Sequence, residues 1–334
     1  MCPPHMTAGS DPGPARWDQD QSPSPGPDQR RLTGAGSVLS VRGMPDSAQF
    51  DLDTYLHRIG WQGERRPDAA TLRGVHLAHT RSLPFENLDA LGGIAPSLAP
   101  ADLTAKLLNS RRGGYCYEHN TLLAHALEAL GFRVTRLTAR VLVGTDRPES
   151  RPRTHMALLV EAPDDPQPYL ADVGFGALGA LLEAVPLTTG TEFHDAGRRH
   201  RLVHAPQRGP LPMWVLEAHR PEKPAQDGAA PAEGTDDAWE AQYAFTVEPF
   251  EQRDFEVINW YIATHPRSPF SRRAYAHRLT GDTHLLLDDR LLTETRADGT
   301  VTERELADED EVRRVLDEKF GITVPPGLTL LGRP

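Results

Sequence analysis

Cysteine is nearly absent from this 334-residue chain, which has only Cys2 and Cys116. Cys2 lies in a stretch without a hydrophobic pattern. A disulfide framework is therefore not expected, and a reducing cytoplasm fits best. Positive charge is also scarce. Lys and Arg number 36 against 47 Asp and Glu, a formal net charge of -11, and no dense basic stripe offsets it. That balance argues against nucleic acid as a partner. No uninterrupted apolar run approaches the length of a membrane span, and no apolar core follows a basic flank at the start. Neither a membrane partner nor export is expected. Cys116 has no second cysteine at ligand spacing, so no metal is expected.

What is present is a chain long enough for a sizeable core and a cleft. Residues 1–43 are dominated by Pro, Gly, Ser, Asp and Arg and read as a disordered tail. Met44 shortly precedes a helix entry and is a candidate initiator. From there Asp51 can cap a helix carrying Leu52, Tyr55, Leu56 and Ile59 at helical spacing. A second helix is expected from Asp68 toward Thr80, stopping before Pro84, and a third from near Ala101. From Cys116, residues Leu122, Leu123, Ala126, Leu127 and Leu130 recur at helical period, and Gly131 can close the helix. Short β runs follow at Phe132–Val143, His155–Val160 and Tyr169–Val173. Two more, Met213–Ala218 and Trp239–Val247, flank a Pro, Ala and Gly rich stretch, Pro221–Asp237, that reads as a mobile loop. A hairpin over Thr283–Leu292, a turn at Asp298 and Gly299, and a helix Asp308–Phe320 complete the pattern. There is no internal repeat, and the oligomeric state is not legible.

The chemistry centres on Cys116. A thiol is a poor nucleophile until it loses its proton, and a helix N-terminus favours the thiolate. Gly113 and Gly114 let the backbone turn and leave space for a substrate before Cys116. Downstream, His155 opens the apolar run Met156–Leu159, and Asp172 ends another before Gly174. Cysteine, histidine and acid thus occur in an order that lets two strands face one helix terminus. Each residue alone has a blander reading: a buried structural cysteine, a satisfied core histidine, a turn aspartate. With 14 histidines in the chain, no single one carries the argument.

The string Arg112, Gly113, Gly114, Tyr115, Cys116, Tyr117, Glu118, His119, Asn120 resembles the nucleophile signature of the arylamine N-acetyltransferase family. The strings around His155 and Asp172 resemble that family's histidine and aspartate motifs. Further matches are Phe50–Gly60, Leu83–Leu88 with Pro84, Phe85, Glu86 and Asn87, and Asp254–Phe270 with Asn259, Pro266, Ser268 and Pro269. The resemblance implies an α+β fold: an N-terminal helical bundle (44–131), a central β-barrel (132–237) and a C-terminal α/β lid (238–334), with a cysteine-protease-like core. It implies ping-pong transfer of acetyl from acetyl-CoA to a small aromatic amine, hydroxylamine or hydrazine, with Cys116 as nucleophile, His155 as proton partner and Asp172 orienting the imidazole.

By the same resemblance, Phe85, Val141 and Phe175 line a pocket for an aromatic ring, with ordinary core packing as their alternative. Gly174, Gly176 and Tyr243 are candidates beside the coenzyme, because small residues leave backbone amides open to phosphate oxygens. Arg58 and Glu86 are expected to pair. Glu118 and His119 receive no chemical step, since adjacent helix residues point in different directions. Arg151 and Arg153 flank Pro152 where family members often have smaller residues, and both are candidates for coenzyme phosphates. Rival readings are an amide synthase that releases or cyclises an aromatic-amine polyketide chain, a cysteine hydrolase, and a binding protein that keeps the fold.

Overall fold

The computed structural model describes residues 50–145, 147–195, 197–219 and 239–331. The tail 1–43, the start at Met44 and the loop Pro221–Asp237 lie outside the described residues. The helical part comprises α1 (Leu52–Ile59), α2 (Ala69–Ser82), short α3 (Leu88–Leu91), α4 (Pro100–Leu103) running into a wider turn over Thr104–Leu108, and α5 (Cys116–Ala129). Local chemistry sets the ends. Asp51 accepts the Thr54 amide at 3.0 Å and Asp68 the Thr71 amide at 2.8 Å, each capping a first turn. Gly60 closes α1 in the left-handed region at φ 71°.

The next layer is one antiparallel sheet: β2 (Arg133–Val141), β3 (His155–Glu161), β4 (Tyr169–Ala171), β5 (Val185–Pro186), β6 (Glu192–Asp195), β7 (Arg198–Ala205), β8 (Met213–His219) and β9 (Trp239–Phe245). Its order is β5-β4-β3-β2-β9-β8-β7-β6, and it curls into a nearly closed barrel. Strand β3 is buried from His155 through Val160. Met156, Leu158 and Val160 pack with the helices, while Ala157 and Leu159 join the barrel core with Leu137, Leu170 and Tyr243. Burial on both faces is why this segment reads as a continuous apolar run rather than an alternating one. Each fully buried leucine there contributes about 1.5–3 kcal/mol.

Helix α6 (Gln252–Thr264) leads to β10 (Tyr275–Thr280), β11 (Thr283–Asp288), β12 (Leu291–Arg296), β13 (Val301–Glu305) and α7 (Glu309–Val315), whose last turn widens over Leu316–Phe320. The expected hairpin is thus part of a larger sheet, and its edge is unexpected. The two-residue strand β1 (Phe85–Glu86) pairs with β10, matching Phe85 to His277 and Glu86 to Ala276. A segment between the N-terminal helices is thereby stitched to the C-terminal sheet.

Charge ties β1 to the helical part. Lys106 Nζ bridges Asp89 at 2.7 Å and Glu118 at 2.6 Å, and Arg112 bridges Glu86 at 2.7 Å and Asp89 at 2.6 Å. The expected partner of Glu86, Arg58, instead donates to the Ser82 carbonyl at 3.2 Å. The last carbonyls of α2 lack helical partners and attract that guanidinium, whereas Arg112 approaches Glu86 from the turn before α5. No helix among the described residues is long and apolar enough to cross a membrane.

Candidate active site

Cys116 is the first residue of α5, His155 the first of β3, and Asp172 follows the last residue of β4. Because β3 lies beside β4 and packs on α5, the three converge. All three are nearly inaccessible, at 4%, 3% and 1% exposure. His155 Nε2 meets Asp172 Oδ2 at 2.6 Å. The Cys116 thiol donates to the Thr154 carbonyl at 4.0 Å and also interacts with the adjacent imidazole; with Nε2 on Asp172, Nδ1 is the nitrogen left for sulfur. Tyr117 donates from its hydroxyl to the Thr154 carbonyl at 2.6 Å, steadying the entry to β3.

Burial alone would push the His155 imidazole down. The Asp172 carboxylate overrides it, with help from Cys116, and raises the group from 6.5 to about 10. Burial likewise pushes Asp172 up, but His155, Asn120 and the Gly174 amide hold it below its ordinary 3.8. Histidine is thus kept protonated and aspartate ionised at neutral pH.

The carboxylate is held from several sides. Asp172 Oδ1 accepts Asn120 Nδ2 and the Gly174 amide, both at 2.9 Å. Asn120 also donates to the Met156 carbonyl at 2.7 Å and accepts the Val173 amide at 3.1 Å. The Asp172 amide donates to His76 Nε2 at 3.0 Å, so the other ring nitrogen of His76 donates to the Leu182 carbonyl at 2.9 Å. Asn120 and His76 were not assigned roles from sequence. Asn120 had a usable signal: four residues after Cys116, it shares the nucleophile's helix face.

Phe175 and Tyr243 enclose the imidazole, with ring centroids 5.1 and 5.0 Å from that of His155. Val141 is half-buried beside them and opposite Tyr243 in the β2–β9 ladder. Phe85 approaches from the other side, and with Phe175 it bounds a cavity of about 10 Å³ that also touches Val173 and His277. Phe175 thus stands against His155, Val141 packs in the same cluster, and Phe85 joins them through Phe175 and Gly176; neither Val141 nor a triad residue lines that cavity.

The coenzyme candidates divide differently. Tyr243 is fully buried beneath the triad and offers a coenzyme no exposed atom. Burial and the nearby Asp172 carboxylate push its phenol well above its ordinary value. The hydroxyl closes no hydrogen bond of normal geometry, and it interacts with that carboxylate as a neutral phenol. The Gly174 amide is committed to Asp172 and unavailable to a phosphate. Gly174 instead permits close packing, since a Cβ there would lie 2.7 Å from Cys116 Cα. A Cβ on Gly176 would lie 2.8 Å from the Phe85 ring. Arg153 is already paired, with Thr246 Oγ1 at 3.1 Å and Glu248 at 3.7 Å, while Arg151 is exposed.

A cluster of cations lies elsewhere. A cavity of about 510 Å³ is lined by Arg81, Arg198, Arg199, Arg296, His219 and His284 against only two carboxylates, Asp282 and Asp298. No residue lines both this cavity and the small one at Phe85 and Phe175, but Leu182 and Leu279 of the large one adjoin Leu181 and Arg278 of the small one in sequence, and neither contains a triad residue. A second cavity of about 580 Å³, lined by Pro96, His125, Arg136 and Glu251 among others, contains no triad residue. No cluster of three or more His, Cys, Asp or Glu among the described residues is arranged to hold a metal ion.

Comparison with known proteins agrees with this geometry. A family model described as N-acetyltransferase matches residues 68–328. The arylamine N-acetyltransferase of Mycolicibacterium smegmatis is 39% identical over 278 residues, covering 82% of this chain and 92% of that protein. Among solved structures, the Nocardia farcinica arylamine N-acetyltransferase superposes with a TM-score of 0.74 at 40% identity, over 84% of this chain and 92% of that one. The Mycobacterium marinum enzyme in complex with CoA gives 0.71 at 34% identity, over 81% and 93%. A match spanning the helices, the barrel and the C-terminal sheet, with relatives this similar over most of their length, establishes that the chain belongs to the arylamine N-acetyltransferase family.

Proposed function

We propose that Cys116, His155 and Asp172 carry acetyl-CoA-dependent N-acetylation of arylamines, arylhydroxylamines or hydrazines in this chain. The observation that carries the reading is the buried 2.6 Å His155–Asp172 pair directed at a cysteine on a helix N-terminus. With the proton on His155, Cys116 attacks as thiolate: Sγ bonds to the thioester carbonyl carbon, and the carbon–sulfur bond to the coenzyme breaks. The departing coenzyme sulfur takes the imidazolium proton and leaves as a free thiol. Acetyl-Cys116 and neutral His155 result. The amine nitrogen then bonds to the acetyl carbon, His155 takes the proton that nitrogen loses, and Cys116 departs as thiolate. One acetyl has moved from sulfur to nitrogen, and the starting ion pair is restored. Asp172 keeps Nδ1 toward sulfur throughout.

In this reading Phe85, Phe175 and Val141 surround the acceptor ring. The inner cavity of about 10 Å³ has room for roughly one water, so an acceptor ring enters only as Phe85 or Phe175 turns aside. The thioester arm passes Gly176, and the coenzyme phosphates take the arginine-lined cavity. We assign the described residues of 44–131 to the helical segment and those of 132–245 to the barrel, which takes in β9 and moves the start of the lid from the expected 238 to beyond Phe245, with β1 as the tie between helices and lid. A cytoplasmic location belongs to the same proposal, because a free cysteine nucleophile needs a reducing compartment.

The test is intact mass after brief exposure to acetyl-CoA without amine, repeated with Cys116→Ala. One acetyl increment that requires Cys116 and is discharged by an arylamine is expected. Spontaneous loss to water at the same rate without amine would instead indicate a hydrolase. No increment, with Cys116 still alkylated by iodoacetamide, would shift the donor to a longer thioester and the function to amide synthesis.

A further inference from the structure

Behind the nucleophile helix runs a chain of buried polar groups with no step in the reaction. Tyr55 on α1, His79 on α2 and His119 on α5 are 0%, 0% and 1% exposed. Tyr55 Oη lies 2.9 Å from His79 Nδ1, His79 Nε2 lies 2.9 Å from His119 Nδ1, and His119 Nε2 lies 3.1 Å from the Pro84 carbonyl. The end of the chain dictates its protons. A carbonyl only accepts, so His119 carries its proton on Nε2 and accepts at Nδ1. His79 must then donate from Nε2 and accept at Nδ1, and Tyr55 must donate. Burial pushes the His119 imidazole down to about 4 and His79 well below its ordinary value. Both rings are neutral, and one tautomer satisfies every bond.

The chain ends on the peptide that carries Phe85. The phenylalanine ring lies parallel to the His119 ring, at 6° and 6.3 Å between centroids. Pro84 has no room to retreat, because even a Cβ on Gly113 would lie 1.8 Å from its carbonyl oxygen. From the opposite side Asn87 donates to the carbonyls of Phe270 and Arg273, each at 2.8 Å, and accepts the Tyr275 amide at 2.8 Å. Those bonds hold Phe270 and Tyr275, whose rings both stand 5.9 Å from Phe85. The backbone under Phe85 is thus pinned, and its ring can yield only by side-chain rotation.

We propose that the Tyr55–His79–His119 chain is a positioning device for the Phe85 wall, and that His119 thereby sets which aromatic amines acetyl-Cys116 accepts. The inference rests on the reading that Phe85 borders the acceptor site. Substitution of His119 by Phe keeps a ring beside Phe85 but leaves the Pro84 carbonyl and the His79 donor unpaired in the interior. The wall is released and the chemistry is not. His119→Gln restores a donor near the Nε2 position, and Tyr55→Phe removes one oxygen at the far end.

The experiment measures two things on the full chain and on these three variants: single acetylation of Cys116 by acetyl-CoA alone, and kcat/KM for a one-ring amine, aniline, against a two-ring amine, 4-aminobiphenyl. Retained acetylation is expected. In His119→Phe the ratio of the two kcat/KM values should change by about tenfold, through KM. The change should be smaller in the same direction for Tyr55→Phe and largely reversed in His119→Gln. An unchanged ratio in folded, acetylated variants, or an equal fall for both amines through kcat, overturns the inference. Absence of acetylation in the unsubstituted chain would instead overturn the assignment of Cys116. Should His119→Phe not fold, Tyr55→Phe decides by the same ratio.

Discussion

The triad and the arginine-lined cavity are built on opposite principles. Around Asp172 each carboxylate oxygen has a partner, the supporting groups are buried, and they come from α2, α5 and the strands of the barrel. The cavity of about 510 Å³ is assembled at strand ends and turns, and its Arg81 and Arg296 are exposed. Bond making needs reacting atoms fixed to a fraction of an ångström, which buried hydrogen bonds on rigid elements provide. Holding phosphates needs charge of the right sign, which long side chains at a rim provide without fixed geometry. Damage at the centre should therefore be large and fall on the chemistry, whereas damage at the rim should be small and fall on affinity.

The sharpest way to break that contrast is Asp172→Asn. The substitution keeps the shape but replaces the acceptor of the His155 proton with an amide that can favour the wrong tautomer. A fall in kcat of about 10⁴-fold is expected, measured with a saturating arylamine. A fall below tenfold would show that Asp172 only packs. Next is Asn120→Ala, which strands the buried Met156 carbonyl and Val173 amide and removes one bond to Asp172. About 2–4 kcal/mol of stability should be lost in chemical denaturation, together with a clear drop in kcat. Undiminished stability would mean that water replaces the amide and that the centre is less closed than its exposure indicates.

How much of this was legible beforehand follows from range. Helix α5 declares itself by period, β3 by an apolar run, and the order of Cys116, His155 and Asp172 by motif, all within short windows of sequence. Glycine before Cys116 reads as room for a substrate and glycine after Asp172 as amides open to phosphate, whereas Gly113 admits the Pro84 carbonyl and Gly174 packs on Cys116 with its amide held by Asp172. What escaped is long-range. Strand β1 has two residues and no period to detect, so its pairing with β10 could not be read. The acid of Glu86 has an arginine available at Arg58 and another at Arg112, and only packing selects the second. The Tyr55–His79–His119 chain joins three helices 24 and 40 positions apart, and no local pattern links them. That Tyr243 is fully buried against His155 follows from the place of β9 between β2 and β8, which no local pattern shows.

A third measurement uses pH. The folded value of His155, about 10, exceeds its ordinary 6.5. The pair's contribution from this group is therefore full below about pH 6.5 and is lost progressively as pH rises toward 10. Asp172 lies below its ordinary 3.8, so its contribution is present above that value and is lost as pH falls through the depressed one. The stability gap between the unsubstituted chain and Asp172→Asn should be widest near about pH 5.5 and narrow steadily toward about pH 9.5. Denaturation midpoints at several pH values check it. A gap that widened with pH would mean that His155 is neutral in the resting protein, and the proton in the first half-reaction would need another source.

The smallest effect is expected at the rim. Arg81→Ala and Arg296→Ala each remove one exposed guanidinium from the large cavity and leave Cys116 and its partners untouched. Exposed charge contacts are worth about 0.2–1 kcal/mol and weaken with salt. Each variant should therefore raise KM for acetyl-CoA by only about two- to fivefold, and the difference should shrink in high salt. The kcat at saturating acetyl-CoA should stay level, because acetyl transfer takes place among groups that neither arginine touches. A drop in kcat with KM unmoved would erase the distinction between centre and rim, since it would make an exposed charge part of the chemistry. An unmoved KM in the double variant, with kcat also level, would send the coenzyme phosphates to a different surface, with exposed Arg151 the next cation to remove.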